Sequence, residues 1–173
     1  MPTIGFDSAL ADPGDRASTD NHFAMTILGT YTPSVAEEIT EVGFHTHAGA
    51  VNFGQIQVGV YRVSTLALIA SATVTSTTTG RFATSITPVA ISSGVEYAIG
   101  WRTISATVGV AQLGVGVDVG IRNTGLTGAD ALANPFVSAG AAIQTEFSVF
   151  ATTQTVAGGS GNIKSNSMLF GMG

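Results

Sequence analysis

Few residues in this chain are of types that do chemistry, and one stretch, EVGFHTH, gathers three of them: Glu41, His45 and His47. On an extended strand, positions 41, 45 and 47 share a face. Two imidazoles at i and i+2 can share a zinc or nickel ion when further ligands join them. The same residues also read as a polar outer face, its histidines bonded to water, a neighbouring subunit or a backbone carbonyl. No second cluster completes a metal site, so the expectation is no metal and no other cofactor.

The remaining chemistry is thinner. Asp118 is a lone acid among Val and Gly, and its reading is an ion pair with Arg102 across a sheet. Glycoside hydrolysis needs two acids converging on a cleft. The acids here are dispersed, with Asp7, Asp12, Asp15 and Asp20 in the first segment. No Ser/His/Asp elbow, phosphate loop or nucleotide fingerprint is present. A non-enzyme is expected. Tyr31, Tyr61, Tyr97 and Trp101 read either as a sugar-stacking platform or as core. Tyr97 and Trp101 share a face with Val95 and Ile99, which favours core. Tyr61 falls on the outward phase of its strand and is the better exposed aromatic.

The elements that must hold these residues are strands. In TPVAISSGVEYAIGWRT, residues 87–103, the apolar Val95, Tyr97, Ile99 and Trp101 alternate with Glu96, Ala98, Gly100 and Arg102. A period of two marks a strand with one face in a core. Similar alternation runs over 21–31, with a phase break at Ile27-Leu28 that predicts a bulge. It recurs over 38–47, 55–61, 66–75, 82–86 (ending at Pro88), 112–122 and 143–149. Gly114, Gly116 and Gly120 share one face of 112–122, and glycine in a strand marks close approach of another surface. Residues 123–142 form a Gly/Ala-rich loop in which Thr127 caps a single helical turn. The fold class is therefore all-β, an antiparallel, jelly-roll-like β-sandwich of about eight strands. The expected organisation is an N-terminal arm over 1–20, a sandwich over 21–151 and a Gly/Ser-rich C-terminal arm over 152–173.

Composition limits the partners. Charged residues are 10% of the 173, against roughly 25% in average domains. The six basic residues are scattered, whereas nucleic-acid binding wants a basic stripe. No apolar run approaches the ~20 residues of a membrane helix. The absence of cysteine excludes disulfides and thiolate metal sites. The first residues lack a signal-peptide pattern, which suggests synthesis in a cytoplasm or a signal already removed. A surface so poor in charge would be sticky if bare, so self-association is expected. After the spacer at 158–161, Met168, Leu169 and Phe170 form an apolar plug that docks on a neighbour or folds back on its own domain.

One block resembles known modules. Gly29, Tyr31 and Pro33 open it; Val58, Val60 and Tyr61 follow, then Leu68 and Ala70, then Pro88, Val89, Ile91, Gly94, Tyr97 and Ile99. This pattern resembles a β-sandwich module of secreted bacterial carbohydrate-associated proteins, and domains of bacteriophage virion proteins. The resemblance covers under half the chain and carries packing and turn residues, with no catalytic motif. It bears on fold more than function. Taken with the low charge, the absence of cysteine and the lack of an active site, it leads to the expectation of a structural virion protein: a capsid decoration or cement protein, made in the host cytoplasm and located in the virion. Its partners would be its own copies, with a trimer as one arrangement, and the major capsid protein. Partner contacts would come from Met168, Leu169, Phe170, Gly114, Gly116 and Gly120. The alternative is a carbohydrate-binding module or the receptor-binding part of a tail fibre, with Tyr61, His45 and His47 near a glycan.

Overall fold

The computed structural model describes residues 1–8, 21–104, 108–114, 120–124, 132–136 and 141–156. Among them the chain forms strands and no helix. In order these are β1 (Thr3–Gly5), β2 (Asn21–Tyr31), β3 (Glu37–His45), β4 (Gln55–Arg62), β5 (Ala67–Thr75) and β6 (Arg81–Ile91). There follow β7 (Tyr97–Thr103), β8 (Gln112–Gly114), β9 (Gly120–Thr124), β10 (Ala141–Ile143), β11 (Thr145–Phe147) and β12 (Val149–Thr155). A four-stranded sheet has the order β1-β12-β3-β6, and a six-stranded sheet has the order β10-β9-β2-β7-β4-β5. β11 and β8 pair separately. Every recorded pairing is antiparallel. The fold is an all-β sandwich.

Alternation explains which faces meet. Val42 and Phe44 of β3, Val149 and Ala151 of β12, Ile56, Val58 and Val60 of β4, and Ile99 and Trp101 of β7 are buried in one core. Burying each large apolar side chain contributes roughly 1.5–3 kcal/mol. Trp101 meets Phe147 edge-on, with ring centroids 4.8 Å apart. Tyr97 is buried too, its hydroxyl accepting the Ser92 N–H at 3.0 Å. Core packing is thus the role of Trp101 and Tyr97. The phase break in β2 appears as a register shift between Met25 and Thr30.

Several boundaries differ from the expectation, each for a pairing reason. β6 runs through Pro88 because its register with β3 shifts between Ile39 and Glu41, leaving Pro88 unpaired on an edge strand. A missing N–H costs nothing there. The described ends of the stretch 112–122 belong to different pairings: β8 pairs with β11, whereas β9 pairs with β2 and β10. Likewise 143–149 is divided among β10, β11 and β12. The sheet also reaches past both expected arm boundaries. Thr3–Gly5 adds a strand to β12, and β12 continues to Thr155.

Candidate functional site

Four side chains meet on the outer face of the four-stranded sheet, and they come from far apart in the chain. Asp7 follows β1, Glu41 and His45 lie on β3, and Arg81 opens β6. Arg81 Nε and Nη2 donate to Asp7 Oδ1 and Oδ2 at 2.9 and 3.0 Å, a bidentate grip. Arg81 Nη2 also donates to Glu41 Oε1 at 2.6 Å. His45 Nε2 is 2.8 Å from Asp7 Oδ1. A carboxylate only accepts, so that ring nitrogen carries the proton. Thr152 Oγ1 donates to Glu41 Oε1 at 3.3 Å.

Sheet order makes this arrangement unusual. β1 and β6 are opposite edges, with β12 and β3 between them. Arg81 therefore reaches back across the sheet, and what it crosses is Phe150 of β12. Its Cζ stands 4.3 Å from that ring's centroid, within cation–π range. Gly43 makes room for the ring. A Cβ at Gly43 would overlap the end of the Phe150 ring and stand 2.5 Å from the Phe82 carbonyl oxygen.

Electrostatics follow from the contacts. Burial alone would push the Asp7 carboxyl up. Hydrogen bonds from Arg81 and His45, supported by their charge, outweigh it and hold the group below the usual carboxylate range. An open cleft of about 430 Å³ adjoins the cluster, lined among others by Thr3, Thr40, Glu41, Ser85 and Thr152.

His47 does not join His45. β3 ends at His45, and His47 is buried beyond it. Its backbone N–H donates to Gly109 O, and its Nδ1 accepts the Gly49 N–H at 3.1 Å. Among the described residues no group of three or more His, Cys, Asp or Glu side chains converges as metal ligands. Beside Glu41 and His45 the cationic position is filled by the Arg81 guanidinium.

Tyr61 corrects the expectation of an exposed aromatic. It does lie on the outward phase of β4, but a second layer covers it. Leu132 and Phe136 pack on Tyr61, which is 1% exposed. Phe136 meets its ring edge-on at 5.6 Å. The Tyr61 hydroxyl donates to Ala133 O at 3.1 Å, and burial pushes its pKa well above the tyrosine range. Segment 132–136 is strapped down by Leu132 N–H on Gln57 Oε1, Leu68 N–H on Asn134 Oδ1 and Phe136 N–H on Leu66 O. Gly59 permits the approach, since a Cβ there would stand 2.6 Å from Leu132 Cδ1.

Two of the glycines expected on one strip, Gly114 and Gly120, lie in different pairings. Gly114 pairs with Thr145 in β11, while Gly120 faces Ile143 on one side and Met25 on the other. Both belong to pairings within the chain. Arg102 sits on β7 between β2 and β4, so its register partners are His22 and Gln57. Gly116, Asp118, Thr127, Met168, Leu169 and Phe170 lie outside the described residues.

The sequence reading missed Asp7, Arg81 and Phe150 as a unit. Asp7 lies 38 positions before His45 and 74 before Arg81, so no local spacing announces it. Comparison with known proteins adds no relative: no protein-family model and no curated protein matches this chain.

Proposed function

We propose that this β-sandwich is a structural binding module that works by protein–protein contact, as a decoration or cement protein of a bacteriophage virion. It acts as a homo-oligomer, with a trimer as the leading symmetry, seated on the major capsid protein. The reading rests on how little charge folding leaves outside. Glu37, Arg102 and Glu146 are buried, and Asp7, Glu41 and Arg81 satisfy one another. Where side chains are described, that leaves Glu38, Arg62 and Glu96 as the outward-facing charged side chains beyond that paired cluster. Much of the remaining exterior is Ser and Thr, as in Ser71, Thr73 and Thr75 of β5, and Val35, Val51, Phe53 and Val156 are exposed as well. Such a surface favours a covered setting over a bare one.

Light scattering on the full chain, and on a chain ending at Val156, tests this. The full chain is expected as an oligomer that binds assembled capsids, and the shortened one as a monomer that does not. Deletion begins after Val156 because residues to Thr155 belong to β12. A full chain that stays monomeric and ignores capsids overturns the proposal.

The open polar cleft beside Glu41 supports a second reading, glycan or receptor binding. Its lining offers hydroxyls and carboxylates, the groups that hydrogen-bond sugars. A glycan array with Glu41→Gln as control separates the readings. Binding that the substitution abolishes favours the second.

A further inference from the structure

We infer that Asp7, Arg81 and His45 form an ionic latch that keeps the N-terminal strand docked, and that neutralising the Asp7 carboxylate frees that strand. β1 is only three residues long and has a single neighbour in its sheet, β12. Its other fasteners are few. Ile4 enters the core. Phe6 N–H donates to Val149 O at 2.9 Å, and Thr153 N–H donates to Pro2 O at 3.0 Å.

Asp7 adds a fastener of another kind. It stands just past β1, yet its bonds skip the adjacent β12 and end on β3 and β6. The latch therefore ties one edge of the sheet to the opposite edge, over the Phe150 ring. Charge-assisted bidentate bonds of this sort are among the stronger single contacts a side chain makes. A protonated or amidated Asp7 cannot accept both Arg81 nitrogens and His45 as an ion pair.

The groups facing Asp7 are Arg81 from β6 and His45 and Glu41 from β3. From β12 come the uncharged Phe150 and Thr152, and Met1 and Thr3 line the same cleft. Glu41 shares Arg81 with Asp7, so acid acts on both carboxylates, and a substitution at Asp7 isolates its part. Because the Asp7 carboxyl is held low, docking is strongest at neutral pH. It is lost as pH falls through the range where that carboxyl protonates. The use of a freed strand rests on the assembly reading, since a freed segment 1–8 would be open to a neighbouring copy; the latch geometry does not.

Native-state hydrogen exchange on the full chain is the test, read as protection factors so that intrinsic rates cancel. At pH 7, Asp7→Asn is expected to lower the protection of the Phe6 and Thr153 amides about tenfold or more. Protection of the Ile99 amide in central β7 stays unchanged. Arg81→Gln reproduces the effect from the other side. Acid lowers protection at Phe6 and Thr153 in the wild type and adds little in Asp7→Asn. Unchanged protection at both amides in both variants overturns the latch. An equal loss at Ile99 also overturns it, because Asp7 then supports the whole sandwich. The mass of each sample separates this from assembly: a monomer that loosens only at β1 keeps the latch and discards the oligomer. An oligomer with unmoved amides does the reverse.

Discussion

The guanidinium of Arg81 lies over the ring of Phe150, 4.3 Å from its centroid, while gripping Asp7 through two nitrogens. Phe150 is itself fully buried. A cation, a ring and a glycine are thus stacked on the sheet, with Gly43 beneath and Arg81 on top.

Gly43→Ala tests the base of that stack. The new methyl has no room between the Phe150 ring and the Phe82 carbonyl oxygen. A loss of about 1–3 kcal/mol is expected, measured by urea unfolding with an unchanged slope. A neutral result would mean the ring moves aside freely.

Tyr61 separates a structural role from a ligand role. Tyr61→Phe removes only the hydroxyl bond to Ala133 O and should cost about 0.5–1.5 kcal/mol. Tyr61→Ala empties the contact with Leu132 and Phe136 and should cost about 3–5 kcal/mol. Glycan binding, if present, survives Tyr61→Phe.

Alkaline pH reads the buried end of the sandwich. The Tyr31 hydroxyl donates to Glu37 Oε1 at 2.7 Å, and Glu37 Oε2 accepts Thr153 Oγ1 at 2.5 Å. Burial first, then the hydrogen bond and charge of Glu37, push the Tyr31 pKa up to about 12. A raised pKa contributes stability below the unfolded value of about 10. That stability is lost as pH rises toward the folded value. Phenolate absorbance should show Tyr31 ionising near pH 12, and Tyr61 only as the fold opens. Tyr31→Phe should flatten the decline of stability above pH 10.

Glu146 gives the acid-side counterpart. Burial raises its pKa. Its stability contribution is complete at low pH and lost as pH rises through the folded pKa. Glu146→Gln should therefore raise the urea midpoint at pH 7, and the gain should vanish once the wild-type carboxyl is protonated. A lower midpoint at pH 7 would mean that the ionised carboxylate has a stabilising partner.

How much of this was legible depended on range. The alternation around Trp101 and the phase break in β2 are local, so strand class and a bulge could be read directly. That 112–114 and 120–122 take different partners was not legible. The alternation over 112–122 is unbroken, and only the competing partners β11 and β2 set its ends apart. Tyr61 shows the same limit. Its outward phase was right, but phase says nothing about whether another segment lies on that face. The His45 and Glu41 face was visible as polar, whereas its other two members, Asp7 and Arg81, were not.

By itself, the sequence determined the all-β class, the inward faces of the central strands and the poverty of charge, because side-chain alternation and composition are properties of neighbours along the chain. Tertiary structure alone decided which strands share a sheet, that segment 132–136 roofs Tyr61, and that Asp7 at one edge of the four-stranded sheet reaches Arg81 at the other. Those outcomes depend on pairing energies between segments many tens of residues apart, and no local period encodes them.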